Sequence, residues 1–371
     1  MSTTGTFANF LPPGTRLGKY VLRRPIGVGG MAEIYLADYE TFAGGSRSVV
    51  IKRLSPSSAS DLGVQLMFRE EARLCARLDH PNVIDVFDIG HDRGTDFMVM
   101  EYVDGLDSRR LLRRATRANR RLPVEHVVKV GIDVAAGLHA AHELAGEDGS
   151  PAGVVHRDVS PANVLVGVSG EVKLTDFGVA KTRGQRVHTK PGLLKGKASY
   201  MSPEQVRGYG VDRRSDIFSL GTTLVELLTG RRLFEAASEH GVLRSIARGE
   251  ITPPSMLRGD LPPELEDILL TCLAVDPDDR YQSASDLEDH LLAFAARGSV
   301  MASAPRLGRF VRTLASARVR ADGTPLPGRY PAGNGGARLA LSVSATNAGP
   351  LSDSAVRRDS RADLRDLADS L

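Results

Sequence analysis

Between Leu62 and Leu78 the apolar residues Val64, Met67, Phe68, Cys75 and Leu78 recur at helical intervals, which predicts a helix with one buried face. Glu71 falls in the middle of that face. Its neighbours three and four positions away are Met67, Phe68, Leu74 and Cys75, so no cation on the same helix reaches it. A carboxylate buried there requires a partner from another element. Glu70 points elsewhere and has Arg73 three residues on, as a surface acid does. A second mostly apolar run, Ile217 to Leu228, leads into Gly230 and predicts a buried helix with a glycine stop. Strand-type runs occupy Ile26 to Ala37, interrupted by a glycine turn, then Val49 to Lys52, and Glu171 to Leu174. Two short stripes lie near the C-terminus: Leu307, Phe310, Val311 and Leu314, then Leu364, Leu367 and Leu371. Each could form a small docking helix. In a polar tail such stripes are more often transient, so disorder is expected there.

The chemistry concentrates in two motifs. Val155-His156-Arg157-Asp158-Val159-Ser160-Pro161-Ala162-Asn163 is followed, across the strand-like Glu171 to Leu174, by Asp176-Phe177-Gly178. One carboxylate there can take a hydroxyl proton, and an amide and a second carboxylate can hold magnesium on a nucleoside triphosphate. A lone Asp or Asn is usually a turn former or a cap. Two motifs at this spacing argue for phosphoryl transfer instead. Upstream, Ile26-Gly27-Val28-Gly29-Gly30-Met31-Ala32 gives backbone amides a way to close over phosphates without an intervening Cβ. A strand follows this turn, where a dinucleotide-binding fold would place a helix.

Composition bounds the reading loosely. The 371 residues can bury a sizeable core in one or two domains. A net charge of +3 is small for this length and implies no nucleic-acid footprint. The two cysteines, Cys75 and Cys272, offer neither a disulfide framework nor a metal cluster and suit a reducing compartment. His139 and His142 share a helix face, yet without further ligands packing or solvation outweighs metal binding. No apolar run is long enough to span a membrane, and no signal peptide is evident, so the expected location is cytoplasmic.

From about Leu17 to Arg297 the blocks resemble a protein kinase of the eukaryotic-like bacterial serine/threonine type. The resemblance implies an α+β bilobal fold: an antiparallel-sheet N-lobe with one helix, a larger, mainly helical C-lobe, and ATP between them. The expected boundaries are a flexible tail over 1–16, the N-lobe and hinge over 17–104, the C-lobe over 105–297 and a low-complexity tail over 298–371. By similarity, Asp158 is the catalytic base, Lys52 positions phosphates and is held by Glu71, and Asn163 and Asp176 hold magnesium, with manganese an alternative. Ile26, Gly27, Val28, Gly29 and Gly30 match the phosphate loop, and Met100, Glu101 and Val103 the hinge. Ile34, Val50 and Leu165 match the residues that sandwich adenine; Val50 stands where the family has alanine and narrows that slot. Cys75, Val86, His156 and Phe177 match the stack of the active arrangement, Asp216 the brace of the catalytic loop, and Glu204 with Arg280 a buried ion pair. Expected partners are protein substrates. Dimerisation through the N-lobe, known among relatives, is left open by the residues.

Three departures stand out. Ala32 replaces the third loop glycine. Ser160 stands where serine/threonine kinases carry a lysine, and Lys197 stands where they carry a threonine. Together the last two read as an exchange: Lys197 would stabilise the γ-phosphate, with Ser160 hydrogen-bonding Asp158 or Lys197. The alternative is a solvated Lys197 and a lost catalytic group, as in a pseudokinase scaffold. The segment Val179 to Ser202 carries Lys181, Arg183, Arg186, Lys190, Lys195 and Lys197 and no acid. A phosphate on Thr189, ahead of Thr182 and Ser199, would neutralise it and pair with Arg157. Tyrosine specificity is disfavoured, because Ser160 to Asn163 lacks the arginine that tyrosine kinases carry there.

Overall fold

The computed structural model describes residues 10–40, 44–146, 148–178, 198–298 and 300–316. Thr182, Thr189, Lys197 and the stripe Leu364, Leu367 and Leu371 lie outside these residues.

Alternation builds the smaller lobe. Strands β1 (Arg16–Leu17), β2 (Tyr20–Val28), β3 (Ala32–Glu40), β4 (Ser46–Leu54), β5 (Val86–Asp92) and β6 (Thr95–Glu101) form one antiparallel sheet in the order β1-β2-β3-β4-β6-β5. Successive side chains take opposite faces. Val49, Ile51, Phe97 and Val99 therefore join Leu17, Tyr20, Leu22 and Tyr35 in an outer cluster, whereas Leu54, Met98 and Met100 join the main core. Helix α1 (Leu62–Arg77) packs on β5 and β6 and buries Phe68, Ala72, Cys75 and Glu71. The Asp61 carboxylate caps it by accepting from the Gly63 and Val64 amides at 2.8 and 3.3 Å. Its span agrees with the apolar periodicity.

The larger lobe opens with a three-stranded sheet of β7 (Gly105–Asp107), β8 (Val164–Gly167) and β9 (Val172–Leu174). Helices α2 (Ser108–Arg117), α3 (Val124–His142), α4 (Pro203–Arg207), α5 (Arg213–Thr229), α6 (Glu239–Arg248), α7 (Pro254–Leu257), α8 (Pro263–Cys272) and α9 (Ala284–Arg297) complete it. At its centre α3 packs against α5 and α9, with Gly131 admitting Leu224 and Leu291. As the pattern predicts, α5 stops at Gly230, whose φ of 76° suits glycine. The lobes are stitched by backbone bonds from Ile84 N to Leu174 O (2.9 Å) and from Leu174 N to Asn82 O (2.8 Å). One continuous apolar cluster runs from Leu54 and Phe68 into the large lobe. In that lobe the Arg280 guanidinium forks onto Glu204 with two contacts of 2.9 Å and donates its other hydrogens to the carbonyls of Ala274, Arg214 and Val275. The buried charges are thus fully paired.

The expectation of disorder requires correction at the first of the two C-terminal stripes. Ala304–Ser316 forms helix α10, which packs against α2, α3, β7 and β8 and buries Leu307, Phe310, Val311 and Leu314. Phe310 lies edge-on to His126 at 5.1 Å and beneath the Arg120 guanidinium at 4.9 Å. Arg114 donates to the last carbonyls of the helix, Leu314 O and Ala315 O, at 2.9 and 2.8 Å. The approach is close enough that a Cβ on Gly308 would sit 2.5 Å from Val168 O. Among the described residues no helix is long and apolar enough to cross a membrane.

Candidate active site

Lys52 lies on β4 opposite Ile34 of β3 and Met98 of β6, on the sheet face turned toward α1. Its Nζ is 2.6 Å from Glu71 Oε1 and 2.8 Å from Asp176 Oδ1. The cation that Glu71 requires from another element is Lys52. Burial opposes charge on Lys52, yet Asp176 and Glu71 outweigh it and hold the ammonium above the usual lysine range. The Lys52 and Glu71 side chains are 10% and 8% exposed, whereas that of Asp176 is 43% exposed. One end of this triad is therefore sealed and the other opens to the cleft.

The loop carrying Asp158 is over-determined by hydrogen bonds. Asp216, buried at the start of α5, accepts from the His156 and Arg157 amides at 2.7 Å each, and His142 Nε2 lies 2.8 Å from the same carboxylate. His156 O accepts from Gly178 N at 2.8 Å, joining the two motifs. His156 Nδ1 accepts from the Asp158 amide at 3.2 Å, so its proton is on Nε2, directed at Thr175 O 3.1 Å away. Burial keeps this imidazole below its ordinary pKa. Its ring packs 4.6 Å from that of Phe177. Arg157 and Asp176 have φ of 64° and 59°, a left-handed conformation rare for such residues. The surrounding bonds hold this strain in place.

Asn163 Nδ2 donates to Asp158 O at 2.8 Å and to Asp158 Oδ2 at 3.0 Å. Its Oδ1 makes no hydrogen bond among the described residues. An amide oxygen and an open carboxylate, Asn163 and Asp176, suit a hard cation such as magnesium. Thr175 N donates to Asn163 O at 3.0 Å, which ties the two metal-ligand candidates together through the backbone.

Above these groups, Ile26 to Val28 end β2 and Ala32 begins β3, with Gly29 N donating to Ala32 O at 2.8 Å. Ala32 is already extended and paired with Leu54, so the lost glycine costs little there. Val28 at the turn is exposed. Ile34, Val50 and Leu165 are each half-buried, the last two packed against the main core. β6 ends with Met100 and Glu101, and in the connection after it neither Tyr102 nor Val103 makes a backbone hydrogen bond among the described residues. Their amides and carbonyls remain for a ligand.

Ser160 is 3% exposed, and no bond from its hydroxyl to Asp158 forms among the described residues. Ser199 is also 3% exposed, which disfavours it as a phosphate acceptor in this arrangement. Two site features escaped sequence reasoning. Glu101 pairs with Lys173 of β9 at 2.5 Å and accepts from Asp85 N at 2.9 Å, fixing the segment between the lobes. Lys173 was visible only as the polar residue between Val172 and Leu174. The other is Arg109, whose amide donates to Pro161 O at 2.9 Å and so joins α2 to the catalytic loop. Nothing local to Arg109 signals that contact.

A lysine, two aspartates and an asparagine converging between a glycine-turn sheet and a helical lobe define a cleft of the protein-kinase class. The comparisons agree: residues 20–292 match the family described as "Protein kinase domain", and the chain belongs to that family. It is 44% identical over 307 residues to "Tyrosine-protein kinase MasK" of Myxococcus xanthus, covering 83% of this chain and 48% of MasK. It is 36% identical over 282 residues to "Serine/threonine-protein kinase PknB" of Mycolicibacterium smegmatis, covering 74% of this chain and 42% of PknB. The chain thus spans about half or less of the length of these curated relatives. Among solved structures, the Mycobacterium tuberculosis PknI kinase domain superposes with a TM-score of 0.57 at 30% identity, over 76% of this chain and 99% of PknI's.

Proposed function

We propose that this chain is a protein kinase that transfers the γ-phosphate of ATP to serine or threonine hydroxyls of proteins, its own among them. The observation that carries the reading is the Glu71–Lys52–Asp176 chain of contacts, which sets an ammonium beside an open carboxylate. Lys52, fixed by Glu71, orients the α- and β-phosphates. Asn163 and Asp176 would hold magnesium, which when bound neutralises phosphate charge. Asp158, steadied by Asn163 Nδ2, orients the attacking hydroxyl and takes its proton. The glycine turn at Gly27, Gly29 and Gly30 covers the phosphates, and the free backbone groups near Val103 bind adenine. Lys197 stabilises the transferring phosphoryl in place of the usual catalytic-loop lysine, and phosphate on Thr189 neutralises the basic segment around it. A nucleotide-binding scaffold without transfer activity is disfavoured because Lys52, Glu71, Asp158, Asn163 and Asp176 are all present.

A second reading, transfer to tyrosine, is favoured by one observation: MasK is named a tyrosine kinase and shares 44% identity. Transfer of labelled phosphate to a generic protein, followed by phosphoamino-acid analysis, distinguishes the two. Phosphoserine or phosphothreonine is expected; phosphotyrosine alone would overturn the assignment of acceptor.

A further inference from the structure

Helix α2 carries five arginines in ten residues and no acid. Two are occupied within the fold: Arg114 caps α10, and Arg110 lies 3.1 Å from Asp107. Just beyond the helix, Arg120 covers Phe310 and Arg121 lies 3.7 Å from Asp260. The remaining three, Arg109, Arg113 and Arg117, are exposed and form no ion pair among the described residues. Their spacing of four places them in a single stripe along one helix face, where like charges repel. The fold gains nothing from that repulsion.

The stripe begins at the reacting centre. Arg109 is tied through its amide to Pro161, between Asp158 and Asn163. The turn Ala198–Tyr200 presents Tyr200, whose hydroxyl donates to the buried Glu226 carboxylate at 2.6 Å. Arg109 and the exposed Arg232, just past α5, both lie within electrostatic reach of Glu226 and Tyr200. Nearby acids do not cancel them: Asp107 is taken by Arg110, Glu226 is buried against Tyr200, and Glu235 and Asp104 are single exposed carboxylates.

We infer that Arg109, Arg113 and Arg232 line an acceptor groove that selects protein segments rich in aspartate and glutamate around the phosphorylated hydroxyl. The inference rests on the phosphotransfer reading above and adds the substrate class to it. Guanidinium forks suit carboxylates, and a focused positive field also raises the encounter rate with acidic chains.

The test compares three peptides that share one serine and one threonine and are flanked by aspartate, alanine or lysine. The readout is the ratio of kcat/KM between the acidic and alanine peptides. For the unaltered chain a ratio of about tenfold is expected, carried mainly by KM, from two or three exposed pairs. Salt reduces it. Arg109→Glu combined with Arg113→Glu brings the ratio to one or below and favours the lysine peptide; Arg113→Ala alone gives an intermediate value. A ratio near one in the unaltered chain, or one that survives the double reversal, overturns the inference. So does retention of phosphatidylserine vesicles by the unaltered chain but not by the double variant, with no acidic-peptide preference. Absence of transfer to every peptide and to generic protein alike would overturn the phosphotransfer reading as well.

Discussion

His156 shows how much of the site depends on one neutral side chain. Its Nδ1 accepts the Asp158 amide and its Nε2–H meets Thr175 O, so a second proton would displace the first bond. Because burial lowers its pKa, the unfolded chain takes up a proton before the folded one as pH falls. Stability is therefore complete above the ordinary histidine value of about 6.5 and declines below it. The buried His126 and the partly buried His80 are shifted in the same direction and add to this slope. Denaturant melts at pH 7.5 and 5.5 should show a larger loss for the unaltered chain than for His156→Phe; equal losses would remove His156 from the account. Lys197→Thr should lower kcat by about 10²-fold, as loss of a charge-stabilising group does, and Ser160→Lys added to it should restore part of that. A double variant no better than the worse single one would contradict the exchange.

At the scale of elements, legibility in the sequence followed the range of the forces. Helix α1 was readable because its period and its misplaced Glu71 are both local, whereas its Asp61 cap emerged only with the structure. The pairing of Glu71 with Lys52 followed from a general cost, a buried carboxylate without a cation. Helix α10 was legible only as one of two readings of its stripe, and disorder was preferred: the stripe has just four apolar positions, and the groove that receives it is assembled from residues as far back as Arg114 and Val168. The left-handed backbone at Arg157 and Asp176 was equally invisible, being imposed by Asp216 and Gly178 and not by residue type. Phe310→Ala should destabilise the chain by about 3 to 5 kcal/mol, as truncation of a buried aromatic does. A denaturation midpoint unchanged from that of the parent would mean that α10 contributes nothing to the folded unit.

For the molecule as a whole, the two lobes bring together groups far apart in the chain, as in the contact between Lys52 and Asp176, 124 residues apart. The small lobe supplies Lys52, Glu71 and the glycine turn; the large lobe supplies Asp158, Asn163 and Asp176. A continuous core and the backbone bonds between Asn82, Ile84 and Leu174 hold the halves in register. The sequence motifs identified which residues would meet, whereas the exposed basic stripe on α2 became meaningful only once its proximity to Pro161 was seen. The central claim is that this convergence performs phosphoryl transfer with Asp158 at the acceptor hydroxyl. The most direct measurement is kcat for protein phosphorylation at saturating ATP and magnesium, with ATP affinity determined alongside, for the unaltered chain and Asp158→Asn. A loss of at least about 10²-fold in kcat with little change in ATP affinity is predicted from removal of a positioned base. Full activity in Asp158→Asn, or an unaltered chain that binds nucleotide and transfers nothing, would contradict it.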